Sequence, residues 1–155
     1  MHGNPDHHDA ELLLRLYDLR REERMRRARD WFVREFRAAS VEEFNQRYPG
    51  GTDENAYFRM TITYWDMAAS IVNHGLIQEQ FFFENNGEFW IVWAKASAVV
   101  PGMRARTRNP HAYGNLEKLA LKYEQWMTER APGYMEARRQ QFGIPAPPPE
   151  GGAAS

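Results

Sequence analysis

Between Tyr64 and Val100 the chain carries Trp65, Phe81, Phe82, Phe83, Phe89, Trp90 and Trp93, broken once at Gly75 and once at Asn85-Asn86-Gly87. Rings this large and this closely spaced have to leave water together, and the two breaks cut the stretch into short pieces that must fold back on one another to do so. The segment is therefore core-building material rather than a reaction centre. Its continuation Trp93-Ala94-Lys95-Ala96-Ser97-Ala98 is Ala-rich, and no second strand is evident to pair with Phe89 to Val92, so the stretch to Val100 is expected to be helical.

Helical spacing extends through most of the chain. Ala, Leu, Arg, Glu and Met dominate from Asp9 to about Ala38 without Gly or Pro, which predicts one long first helix with Asp9 as its N-cap. Its start is a dense apolar block, Leu12, Leu13, Leu14, Leu16 and Leu19. Met25, Ala28, Trp31, Phe32 and Phe36 then step by threes and fours, and Glu22 and Glu23 can meet Arg26 and Arg27 across one turn. Ser40-Val41-Glu42-Glu43 has the form of a capping box and opens a short helix to Tyr48. Thr52 or Asp53 caps a third helix that runs to Gly75, and a fourth covers about Gln78 to Glu84. Beyond Pro101-Gly102, Asn109-Pro110 reads as N-cap and first residue of a helix to Arg130, and a last helix spans Tyr134 to Phe142. The expected fold is all-α: a single-domain helical bundle with one long N-terminal helix and short connections.

At 155 residues, 43% hydrophobic and 14% aromatic, the chain is long enough to bury one core without a disulfide or metal. The expected organisation is a flexible start over 1–8, a helical domain over 9–143 and a disordered Pro/Gly-rich tail over 144–155. A formal net charge of -1 gives no excess that would favour nucleic acid or an anionic membrane. With no cysteine, disulfides, zinc-thiolate sites and thiol nucleophiles are excluded. The N-terminus has neither a basic start nor an apolar run, and Phe89 to Val100, interrupted by Lys95 and Ser97, is shorter than the roughly 20 residues of a spanning helix. A cytoplasmic setting is expected, with no membrane partner.

The signatures of chemistry are absent. No Glu-x-x-His pair, His-Glu-x-x-His, Gly-x-Ser-x-Gly, phosphate loop or Gly-x-Gly-x-x-Gly occurs. His2, His7 and His8 near Asp6 and Asp9 have metal-binding chemistry but sit in a Pro-containing end without support, so no metal and no cofactor is expected. His74 reads as a helix-end cap, and Asp66, beside Trp65, has no His or Lys within sequence reach to make it a catalytic acid.

Two associations remain. The first is self-association through Leu12, Leu13, Leu16 and Leu19, an apolar face that a small bundle does not fully cover. The second is a small anionic ligand in an aromatic-lined pocket between the Phe81 to Trp93 segment and the third helix. Trp65 and Asp66 would lie on its wall, and Arg104, Arg106, Arg108, Asn109 and His111 would read the anion at a helix start. The plainer reading of Arg104 and Arg106 is that they meet the carbonyls at the preceding helix end and nearby Glu residues. The Arg-rich first helix also suggests weak nucleic-acid binding, but Glu11, Asp18, Glu22, Glu23, Asp30 and Glu35 dilute it.

Tyr64-Trp65-Asp66-Met67-Ala68, then Asn73-His74-Gly75-Leu76-Ile77 and Glu79, and later Arg108-Asn109-Pro110 with Tyr113, resemble a family of small bacterial helical proteins known only as a domain of unknown function. The resemblance covers about Asp9 to Arg130 and implies an all-helical fold; it transfers no activity.

Overall fold

The computed structural model describes residues 3–147, and the expectations for His2 and for the tail beyond Pro147 lie outside them. Among the described residues the secondary structure is entirely helical: α1 (His7–Arg20), α2 (Glu23–Arg34), α3 (Val41–Arg47), α4 (Asp53–Asn73), α5 (Glu79–Asn85), α6 (Glu88–Ala96), α7 (Val100–Thr107), α8 (Gly114–Arg130) and α9 (Tyr134–Phe142). Phe89 to Val92 is helix, as its Ala-rich continuation implied.

The single long N-terminal helix is instead two. Glu22 is extended, with φ -54° and ψ 141°, and its carboxylate accepts from the Arg24 and Met25 amides at 3.0 and 2.9 Å, opening a new helix. On the other side of the break, Arg29 donates to the Arg20 carbonyl at 2.9 Å and satisfies the end of α1. The charged residues at the junction are good helix formers, so propensity hides a break that capping and a tertiary contact create. The start also differs. Asp6, not Asp9, is the N-cap of α1, and Asp9 completes the capping box by accepting from the Asp6 amide at 2.8 Å.

The other local signals behave as their chemistry requires. Ser40 caps α3 and Thr52 caps α4, each accepting from the third amide of its helix. Gly75, at φ 77°, supplies the left-handed turn after α4.

Helix α4 is the central element, packed against α2 on one side and α8 on the other, with α6 and α5 also against it. Its Phe58 stacks with Phe32 and meets Phe36 and Phe44, at ring-centre distances of 5.4, 5.2 and 4.6 Å. A second aromatic group joins α5, α6 and α8, where Phe89 lies 5.3 Å from Phe82 and 5.0 Å from Tyr123. Tilted and edge-on geometries prevail, the arrangement that ring quadrupoles favour. The aromatic middle thus ties helices together, with Trp65, Phe82 and Phe89 essentially inaccessible to water.

Candidate functional site

Helix α1 lies on this core by a narrow set of contacts. Leu16 is buried, and Leu12 and Leu13 are half-buried against the core cluster. Polar bonds fix the two ends and the middle. Asp9, 1% exposed, accepts from the Gln78 amide at 2.6 Å; the Tyr64 hydroxyl donates to the Leu16 carbonyl; Arg29 holds the Arg20 carbonyl. Burial raises the Tyr64 phenol above its ordinary pKa, opposed by the nearby Arg20, so it remains a donor at neutral pH.

The rest of the α1 surface is uncovered. Leu14 and Leu19 are 61% and 53% exposed, and Tyr17 is exposed beside them, with Arg20 and Arg21 over its ring. An open groove of about 1030 Å³ runs along this face, lined by Leu12, Leu14, Leu19, Met25 and Met60 among the charged residues Glu11, Arg15 and Asp18. Of the four leucines singled out from the sequence, Leu16 points into the core, Leu12 and Leu13 are shared between core and surface, and Leu19 faces solvent.

Beneath α1 lies a charged junction that the sequence did not reveal. Arg29 clamps Glu88 through Nε and a terminal nitrogen at 2.7 and 3.1 Å, and the Trp65 indole N–H donates to the same carboxylate at 2.9 Å. Arg20 caps the assembly with its guanidinium 5.4 Å from the Trp65 ring centre. Four helices, α1, α2, α4 and α6, meet there. Trp65 is therefore a structural anchor of this junction.

Asp66 and the arginine series are dispersed in the same way. Asp66 accepts from the Leu116 amide at 3.0 Å and so satisfies the first turn of α8 from another helix. His74 is exposed and its ring contacts the Ser70 carbonyl at 2.8 Å, so the two are not buried together. The expected helix at Asn109-Pro110 begins four residues later, at Gly114, because Arg108 and Tyr113 both take left-handed backbone and 109–113 forms a turn. Asn109 accepts from the His111 amide within that turn, at 3.0 Å, and His111 is exposed. Arg104, in the last turn of α7, donates to the Ala112 carbonyl at 2.9 Å and to Glu117 at 3.1 Å. Arg106 faces Glu42 at 3.6 Å, and Arg108 is exposed at the C-cap of α7. The structure thus gives the first two arginines Glu partners and does not converge the three on a helix start.

Lys95 is the residue sequence reasoning passed over. It is 9% exposed, and its ammonium donates to the Phe32 and Val33 carbonyls at 2.9 and 2.8 Å, in the last turn of α2. Burial, with the charge of Arg37 added, lowers its pKa to about 7. Among the described residues no group of three or more His, Asp or Glu side chains is placed to hold a metal ion, and no helix is long and apolar enough to cross a membrane.

Comparison with known proteins gives a family match. A family model described as Domain of unknown function (DUF4760) covers residues 5–123. The chain belongs to this family. The DUF4760 match takes in α1 to α7 and the first part of α8, and with them the exposed α1 face, the Arg29–Glu88–Trp65 junction and Lys95. Neither a curated protein nor a solved structure matches the chain.

Proposed function

We propose that this DUF4760 chain is a non-enzymatic helical interaction module that self-associates through the outer face of α1. The observation that carries the reading is the exposure of Leu14 and Leu19, 61% and 53%, on a groove whose other apolar walls are Leu12, Met25 and Met60. Charge complementarity on the same face supports a second copy as the occupant. In an antiparallel pair about a two-fold axis near residues 15 and 16, Leu12 of one copy lies level with Leu19 of the other. Arg15 then falls within side-chain reach of the partner copy's Asp18, about 3 Å along the helix axis. One isologous contact would cover the leucines and pair the charges twice. The aromatic interior supports the non-enzymatic part of the reading, since its rings are spent on joining helices, and the expected cytoplasmic setting is kept.

Size-exclusion chromatography with light scattering tests the proposal at micromolar concentration. The wild-type chain is expected to elute as a dimer, and Leu14→Asp/Leu19→Asp as a monomer with unchanged circular dichroism, because both side chains face solvent. A strictly monomeric wild type, or a dimer indifferent to both substitutions, defeats it.

A further inference from the structure

A cavity of about 520 Å³ lies between α6, the 36–39 turn, α8, α9 and residues 143–147, a size suited to a small organic molecule. Its apolar walls include Phe36, Trp90, Trp93, Leu121 and Ile144; its charged lining is Arg37, Lys95 and Arg139 against Glu43 and Glu124. Both carboxylates are already engaged. Glu43 pairs with Arg47 at 2.9 Å and accepts from the Ala39 amide at 2.8 Å. Glu124 takes Arg139 at 3.1 Å and the Trp90 indole N–H at 3.5 Å.

That leaves Lys95 and Arg37 without a carboxylate partner among the described residues. Lys95 spends two of its three ammonium donors on the Phe32 and Val33 carbonyls, and Arg37 donates one terminal nitrogen to the Phe36 carbonyl at 2.7 Å. Two cations, one of them buried, therefore share an apolar cavity whose own acids are committed elsewhere. A buried cation without a counter-charge is costly, and the carbonyls at the end of α2 offset only part of that cost. A ligand anion would supply what is missing.

We infer that this cavity binds a small carboxylate with an apolar body, its carboxylate on Lys95 and Arg37 and its body against Trp90 and Trp93. One carboxylate has two acceptor oxygens, matching one ammonium and one guanidinium, and the mainly apolar walls suit a chain or ring behind it better than a sugar or a second charge. Burial draws the Lys95 ammonium toward deprotonation, and a bound carboxylate would hold it charged. The site is separate from the α1 face, on residues the self-association reading does not use.

Octanoate and 4-phenylbutanoate, titrated into the full chain and followed by tryptophan fluorescence and calorimetry, test the inference. Both are expected to bind, with octanamide at least about tenfold weaker because it lacks the charge that the two cations recognise. Arg37→Gln, at an exposed side chain, should weaken octanoate about tenfold while leaving circular dichroism and oligomeric state unchanged. Lys95→Met should abolish binding; if that variant does not fold, Arg37→Gln decides. No binding of either carboxylate at about 1 mM, equal binding of the amide, an unaffected Arg37→Gln, or a preference for phenyl phosphate would overturn the assignment.

Discussion

Replacing Glu88 with Ala removes the acceptor on which α2, α4 and α6 converge. Two donors from Arg29 and one from Trp65 lose their partner at once. Hydrogen bonds to a charged group contribute about 1.5–3 kcal/mol each, and stripping one member from a buried ion pair costs about 3–5 kcal/mol. The Arg29 and Glu88 side chains keep 21% and 24% exposure, so water re-solvates part of the orphaned guanidinium; the Trp65 indole, 1% exposed, has no such relief. The lower end, about 3 kcal/mol, is the expected loss, equivalent to about 6–12 °C in melting temperature for a chain of this size. Urea denaturation followed by tryptophan fluorescence reads it directly. In a double-mutant cycle with Arg29→Met, the two losses should fall short of additive by about 1–2 kcal/mol. Asp30→Ala is the contrast, because its pair with Arg34 is 64% and 76% exposed and its removal should cost under about 0.5 kcal/mol. A Glu88→Ala protein within about 0.5 kcal/mol of wild type, or strict additivity with Arg29→Met, would refute the reasoning.

Gly102→Ala places a Cβ against the side chain of Val41, 2.7 Å from its Cβ, where α7 crosses α3; a loss of about 1–3 kcal/mol is expected by denaturant melts, and a neutral change would contradict the close approach. Lys95 provides a pH signature. Its folded-state pKa is about 7 against 10.5 for the free side chain, so between those values the unfolded chain holds a proton that the folded chain has released. Stability relative to Lys95→Met should therefore rise with pH from about 7 toward 10.5, and denaturant melts at the two ends of that window that show no rise would contradict it. Asp66→Ala leaves the Leu116 amide at the start of α8 without its acceptor and should cost about 1 kcal/mol, measured by thermal melting; no loss would show that the amide finds another partner.

What was legible in the sequence is what local chemistry decides. Ser40, Thr52 and Gly75 each carry their signal within three or four residues, and each stands where that signal placed it. The aromatic stretch announced a packed interior because no other arrangement hides so many rings. What was hidden depends on partners far along the chain. The end of α1 is set by Arg29 reaching back to Arg20, and the start of α8 by Asp66, whose carboxylate lies fifty residues earlier in sequence. Asn109-Pro110 had the right residues for a helix start, but left-handed backbone at Arg108 and Tyr113 spends the Asn109 carboxamide on a turn. Lys95 looked like an interruption of an apolar run, whereas its stem crosses the core to cap α2. The uncovered leucines illustrate the same limit. A Leu block foretells an apolar face, but only the packing distinguishes buried Leu16 from exposed Leu14 and Leu19.

Because the chain has no cysteine, single spin labels can be placed on α1 without background. Pulsed dipolar spectroscopy on Arg15→Cys and, separately, His8→Cys tests the antiparallel pairing most directly. With the two-fold axis passing between residues 15 and 16, perpendicular to the helices, labels at position 15 are nearly level with each other, and labels at position 8 stand about 22 Å apart along the helix axis. A short distance at 15 and a long one at 8 is the predicted result. No dipolar coupling in His8→Cys, which keeps the Arg15 and Asp18 pairs, or a shorter distance at 8 than at 15, would contradict self-association through this face.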